Sequence, residues 1–70
     1  MFDYSALRGR IVEKFGTNKN FAHKIDMLPS NLSMKLGNKC EWKQSEIEKA
    51  CSALEVEVSE ITKYFFTVKV

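Results

Sequence analysis

The stretch that decides the fold runs from Thr17 to Leu36 and reads TNKNFAHKIDMLPSNLSMKL. Phe21 and Ile25 are four residues apart and therefore share one face of a helix, and Leu32 repeats this spacing with Leu36. Each half of the stretch thus predicts a short helix with one apolar stripe. Isolated helices of this length are marginal in water, so these two must be held by packing against the rest of the chain.

The residues between the two halves predict a tight corner. Asp26 tolerates the left-handed backbone conformation that can end a helix. Pro29 suits the first turn of the following helix, where its missing N–H group costs nothing. Ala22 is small enough to let two helices cross closely. We therefore interpret the stretch as a helix-turn-helix, a motif that many small helical proteins contain.

The same periodicity predicts the remaining elements. A first helix should reach Phe15, a fourth should cover Gln44 to Leu54, and a short fifth should cover Val58 to Tyr64 and bury Ile61 and Phe65. Residues 66–70 are β-prone and alternate in polarity, so they form an extended tail that pairs, associates with another chain or frays. The whole chain, 1–70, is expected to be a single all-α domain, a compact five-helix bundle.

Length and composition exclude several classes of protein. A chain of 70 residues buries only about 60% of its unfolded surface, which leaves room for one binding surface and hardly for a catalytic cleft. No apolar run reaches the roughly 18 residues of a membrane span, and no signal-peptide pattern is present. We therefore expect no membrane association and a cytoplasmic protein.

Residues for catalysis or metal binding do not cluster in the sequence. His23 is the only histidine, and Cys40 and Cys51 belong to no CxxC pattern, so both cysteines are expected to be free thiols. The three glycines form no phosphate-binding loop. We predict neither an enzyme nor a bound metal or cofactor.

Charge is distributed unevenly along the chain. Residues 1–45 carry eight of the 11 Lys and Arg but only four of the nine Asp and Glu, a net charge of +4, whereas residues 46–70 carry a net charge of −2. The basic half contains the predicted helix-turn-helix. Such an asymmetry is typical of a surface that binds a polyanion, although a run of charges also occurs on ordinary solvated faces.

Landmarks over nearly the whole chain resemble a known family. They are Phe21-Ala22, Ile25, Leu32-Ser33-Met34-Lys35-Leu36, Gly37-Asn38-Lys39, Trp42, Glu46-Ile47 and Tyr64-Phe65-Phe66. On these residues the chain resembles the lambda-repressor-like helix-turn-helix family, and more narrowly the short Cro-like and repression-modulating proteins of temperate phages of Gram-positive bacteria. The resemblance implies a transcriptional regulator that binds operator DNA in a lysis/lysogeny switch, inside the bacterial host cell.

The resemblance also implies residue roles on double-stranded DNA. The helix from Pro29 to Leu36 would enter the major groove. Base-facing candidates are Pro29, Ser30, Asn31, Ser33 and Met34, and Asn31 is the strongest of them because its amide can pair with adenine. Phosphate-binding candidates are Asn18, Lys19, Lys35, Asn38, Lys39 and Lys43. A homodimer would span two half-sites, but the only self-association patch that the sequence offers is its C-terminal tail.

The sequence departs from the pattern of this family at the corner. Asp26 replaces the common glycine, Leu28-Pro29 stands where polar residues are usual, and Met34 stands where glutamine or arginine is frequent. This apolar face motivates a second hypothesis, an antirepressor that binds the phage repressor protein. Its contact residues would be Met27, Leu28, Pro29 and Met34, unless Met27 or Leu28 folds inward to staple the corner. The sequence leaves open which partner is the main one, the operator sequence and the oligomeric state.

Overall fold

Five α-helices account for most of the chain in the computed structural model, which describes all 70 residues. They are α1 (Ser5–Phe15), α2 (Asn18–Lys24), α3 (Pro29–Leu36), α4 (Gln44–Leu54) and α5 (Ile61–Phe65), with a 3₁₀ turn at Val58–Glu60. The molecule has no strand, only an isolated antiparallel bridge between Phe2 and Val68. The predicted all-α, five-helix architecture is confirmed.

Side chains and backbone geometry explain where the helices begin and end. The Thr17 hydroxyl accepts the N–H group of Asn20 at 3.2 Å and caps α2. The Glu46 carboxylate accepts the N–H group of Lys43 at 2.8 Å at the start of α4. Gly16, with φ of 79°, follows α1 in a conformation that favours glycine. These local signals allowed the first four helices to be read from the sequence.

The core is a single cluster of 13 buried apolar residues: Tyr4, Leu7, Ile11, Phe21, Ala22, Ile25, Leu32, Leu36, Ala50, Leu54, Val56, Tyr64 and Phe65. Phe21 and Phe65 are the largest fully buried side chains. Ile61 lies at the edge of this cluster and stays half-buried, so Phe65 and not Ile61 anchors α5 in the core. The predicted stripes of the first four helices meet in this core.

Two arginines of α1 connect helices that are distant in sequence. Arg8 donates to the carbonyl of Leu36 at 3.3 Å, at the end of α3. Arg10 donates to the carbonyl of Leu54 at 3.0 Å, at the end of α4. The last carbonyls of a helix have no partner within the helix and favour cations, so both contacts stabilise helix C-termini.

The two chain ends lie side by side and are held to the end of α3. The backbone N–H group of Asp3 donates to the carbonyl of Thr67 at 2.7 Å, and the backbone N–H group of Lys69 donates to the carbonyl of Met1 at 2.9 Å. The predicted extended tail is therefore paired with the N-terminal segment. On the opposite edge of that segment, the Asn38 side chain accepts the N–H group of Phe2 at 3.0 Å and donates to its carbonyl at 2.9 Å.

Candidate protein- or DNA-binding surface

The corner between α2 and α3 turns the chain so that the side chain of Leu28 lies outside the core and faces solvent. Asp26 has φ of 55°, the left-handed conformation expected of it, and Met27 donates its N–H group to the carbonyl of Ala22 at 2.9 Å. Leu28 is extended, and Pro29 occupies the first turn of α3. Met27 is half-buried against the core, whereas Leu28 keeps 65% of its surface exposed. Met27 and Leu28 could both have folded inward at the corner, but only Met27 packs against the core.

The outer side of α3 carries all of the predicted base-facing residues. Its inner side buries Leu32, Lys35 and Leu36, and the exposed residues are Pro29, Ser30, Asn31, Ser33 and Met34. Met34 is 42% exposed. We call Leu28, Pro29 and Met34 the corner face. An exposed leucine and methionine next to polar side chains form a surface suited to an apolar partner.

Lys35 is held inside the protein, although the sequence assigned it to a DNA phosphate. Its ammonium group donates to the carbonyl of Glu41 at 2.9 Å and pairs with the carboxylate of Glu46 at 3.0 Å. Only 8% of the residue is exposed. The last turn of α3 directs this side chain towards the loop and α4, so we leave Lys35 out of the candidate interface.

Asn38 also has a structural role that differs from the predicted phosphate contact. It follows α3 with φ of 63°, a conformation that asparagine tolerates better than most residues. Both polar atoms of its amide are bonded to the backbone of Phe2. The side chain is therefore committed to the chain end, and the predicted phosphate set is reduced to Asn18, Lys19, Lys39 and Lys43.

Three of the predicted phosphate-binding lysines are exposed and form no ion pair. Lys19, Lys39 and Lys43 form none of the three ion pairs in the structure, which join Arg10 to Glu13, Lys14 to Glu55, and Lys35 to Glu46. Lys39 donates its backbone N–H group to the carbonyl of Met34 at 2.8 Å, which places this lysine beside the corner face. Asn18 is exposed at the start of α2.

An aromatic groove on another part of the surface was not predicted from the sequence. It has a volume of about 640 Å³ and lies between the chain ends, the α3–α4 loop and α5; its aromatic residues are Phe2, Tyr4, Trp42, Phe65 and Phe66. Trp42 packs edge-on against Phe65, with the ring centroids 5.1 Å apart. The buried indole N–H group of Trp42 has no acceptor. The one sequence signal was the density of aromatic residues near both termini.

Other kinds of site find little support. The structure contains no group of three or more His, Cys, Asp or Glu side chains that could hold a metal ion. Cys40 is exposed and Cys51 is half-buried, and both are free thiols. Burial raises the pKa of the Cys51 thiol, which disfavours the reactive thiolate. None of the helices has the length and apolar character that crossing a membrane requires.

The fold and the sequence together define the family. Residues 1–68 match the family described as "Protein of unknown function (DUF739)", and the chain belongs to this family. A comparison with curated proteins finds no match.

Among solved structures, the chain is similar to the modulator of repression (MOR) of the temperate bacteriophage TP901-1 from Lactococcus lactis, determined in solution. The two share 46% identity and superpose with a TM-score of 0.83, over 99% of this chain and 93% of the other. The likeness therefore covers all five helices. Membership in the broader lambda-repressor-like family remains a prediction from the landmarks.

Proposed function

We propose that this protein is a phage modulator of repression that binds a repressor protein through the corner face. The observation that carries the proposal is the 46% identity, over 99% of the chain, to the modulator of repression of bacteriophage TP901-1. The proposal thus favours the antirepressor hypothesis over operator binding as the main activity.

The chemistry of the corner face supports a protein partner. Leu28 and Met34 are 65% and 42% exposed, although burial of either side chain would be worth about 1.5–3 kcal/mol. No arginine lies on the outer side of α3 to read guanine. The half-buried Met27 fixes the corner from beneath, so Leu28 is presented from an ordered backbone and loses little conformational freedom on binding.

DNA binding stays a second candidate because the basic half of the chain keeps exposed lysines. Lys19, Lys39 and Lys43 are exposed and unpaired, and Ser30 and Asn31 are free to face base edges. A protein that neutralises phosphates loses affinity steeply as salt rises, whereas an apolar protein interface depends on salt far less. The salt dependence of binding therefore separates the two functions.

The test is a binding titration of this protein with its cognate phage repressor and, separately, with duplex DNA at several salt concentrations. Replacing Leu28 and Met34 by Ser should weaken repressor binding by about tenfold to a hundredfold, in the range of hot-spot residues. Matched controls are Val12→Ser and Val58→Ser, which change exposed apolar residues outside the corner face and should leave the affinity unchanged.

Two results would contradict the proposal. If the repressor binds the Leu28 and Met34 variant normally but not a Phe66→Ser variant, the contact lies in the aromatic groove and the corner face is the wrong surface. If the protein ignores the repressor but binds DNA, and Lys19→Ala, Lys39→Ala and Lys43→Ala each reduce the salt slope by about one, operator binding is the activity.

A further inference from the structure

The paired chain ends have two outer edges. On one edge the backbone groups of Phe2 are hydrogen-bonded to Asn38; on the other, which we call the open edge, the backbone groups of Val68 have no partner. The N-terminal segment is bonded to the tail on one side, and on the other side the Asn38 amide occupies the N–H and C=O groups of Phe2. Asn38 thus stands where a neighbouring strand would otherwise pair. The tail has no such cover on its outer side, so any further pairing must take place there.

Val68 lies at the centre of the open edge. The carbonyl of Thr67 and the N–H group of Lys69 point towards the N-terminal segment and bond to it. Because successive residues of an extended chain direct these groups to opposite sides, the N–H and C=O groups of Val68 point outward. No hydrogen bond in the structure uses them. An unpaired edge of this kind is a template for pairing with another chain.

Apolar side chains accompany this open edge. Val68 is 66% exposed and Phe66 is 45% exposed. Val68 and Val70 alternate with Thr67 and Lys69, so these two valines share one face of the extended tail, whereas Phe66, with ψ of 22°, still belongs to the end of α5. The ring of Phe66 packs edge-on against Phe2 at 5.7 Å, which fixes the start of the tail next to the aromatic groove.

We propose that the tail is a self-association site, at which residues 66–70 of two copies of this chain pair as antiparallel strands centred on Val68. In this register Val68 faces Val68 of the second copy, and the two residues exchange both backbone hydrogen bonds. Val70 donates its N–H group to the carbonyl of Phe66 of the second copy, and the reciprocal bond forms by symmetry. The apolar side chain of Val68 then lies beside that of Val68 in the second copy, at the centre of the contact.

The charges agree with this register. Lys69 lies opposite Thr67 of the second copy, so no like charges meet. Pairing centred on Lys69 would instead place two ammonium groups opposite each other, which is unfavourable.

The site predicts a weak dimer. Stable protein interfaces bury about 800 Å² per partner, and a five-residue strand offers only part of that area. We therefore expect dissociation constants between about 10 µM and about 1 mM, where a small interface supplies little free energy beyond the cost of association. The dimer is expected without DNA or repressor, so it is independent of the function proposed above.

Sedimentation equilibrium over this concentration range tests the proposal. The apparent mass of the unmodified protein should rise from 8.1 kDa towards twice that value. Val68→Lys and Val68→Glu should each weaken dimerisation about tenfold or more, because like charges then face each other at the centre. An equal mixture of the two variants should recover dimers, because opposite charges then meet. Val58→Lys, at a residue 85% exposed outside the tail, is the matched control and should dimerise normally.

Each remaining outcome overturns the proposal. A protein that stays at 8.1 kDa up to about 1 mM does not associate through its tail, and the open edge would then await a strand of a different protein. Dimers that survive either Val68 substitution form through another surface. Failure of the mixed variants to recover dimers shows that the two copies of Val68 do not face each other.

Discussion

Replacing Lys35 by methionine tests whether this lysine belongs to the core or to a DNA interface. Its ammonium group bonds to the Glu41 carbonyl and to the Glu46 carboxylate, and the two ion-paired side chains are 10% and 22% exposed. A hydrogen bond to a charged group contributes about 1.5–3 kcal/mol. Methionine retains the apolar stem of lysine, and water still reaches Glu46, so we expect a loss of about 2 kcal/mol in the free energy of unfolding. In a domain of this size, that loss lowers Tm by about 8–16 °C.

Urea unfolding followed by the fluorescence of Trp42, the only tryptophan, measures this loss. The matched control is Lys39→Met, because Lys39 is exposed and has no acidic partner; it should change the free energy of unfolding by less than about 0.5 kcal/mol. Equal effects of the two substitutions would refute the structural role of Lys35, as would a Lys35→Met variant of normal stability that no longer binds DNA.

The pH dependence of the same variant provides a second check. Burial acts to raise the pKa of Glu46, but the N–H group of Lys43 and the ammonium group of Lys35 outweigh it and hold that pKa below its ordinary value of 4.5. A carboxyl group whose pKa is lowered by folding stabilises the protein above its unfolded pKa, and this contribution disappears as the pH falls through the folded pKa. The difference in stability between the unmodified protein and Lys35→Met should therefore shrink below pH 4.5. If the difference in stability stays constant down to a pH at which Glu46 is fully protonated, the ion pair between Lys35 and Glu46 is contradicted.

Five further substitutions probe backbone conformation and the aromatic groove by urea unfolding, which is followed by circular dichroism where the variant lacks Trp42. Gly9→Ala should stabilise the protein by about 0.5–1 kcal/mol, because Gly9 is helical and nothing lies within 4 Å of an added methyl group; Gly16→Ala should destabilise it, because φ there is 79°. Asn38→Gly should cost about 1–2 kcal/mol for two lost hydrogen bonds, and Asn38→Ala about 1 kcal/mol more for its positive φ; equal costs would argue against backbone strain. Trp42→Phe should cost about 1–2 kcal/mol, because the smaller ring leaves unfilled space against Phe65 while the lost N–H group has no acceptor; a loss above about 3 kcal/mol would mean that the indole N–H group is hydrogen-bonded.

The parts of the fold that the sequence predicted well depend on short-range signals. The bounds of α4 agree with the expected Gln44 to Leu54 because its apolar periodicity and its capping residues lie within one segment. The predicted fifth helix was less accurate at both ends. Val58 is 85% exposed, so the first turn has no apolar side to bury and forms a 3₁₀ turn, while buried Phe65 extends α5 by one residue.

The parts of the candidate site that the sequence missed depend on contacts between distant residues. The polar character of Asn38 is visible in the sequence, but its partner Phe2 lies 36 positions away. Lys35 is likewise indistinguishable from the exposed lysines until α4 brings Glu46 beside it. Helical periodicity correctly placed the exposed residues of α3, because the burial of Leu32 and Leu36 alone fixes which side faces out.

The two arginines of α1 have a consequence for the order of folding. Arg8 and Arg10 reach helix ends that are 28 and 44 residues away in sequence. Contacts that close such long loops form only after the entropy of loop closure has been overcome. The last turns of α3 and α4 should therefore gain this support after the rate-limiting step. Arg8→Ala and Arg10→Ala are expected to accelerate unfolding while leaving the folding rate nearly unchanged.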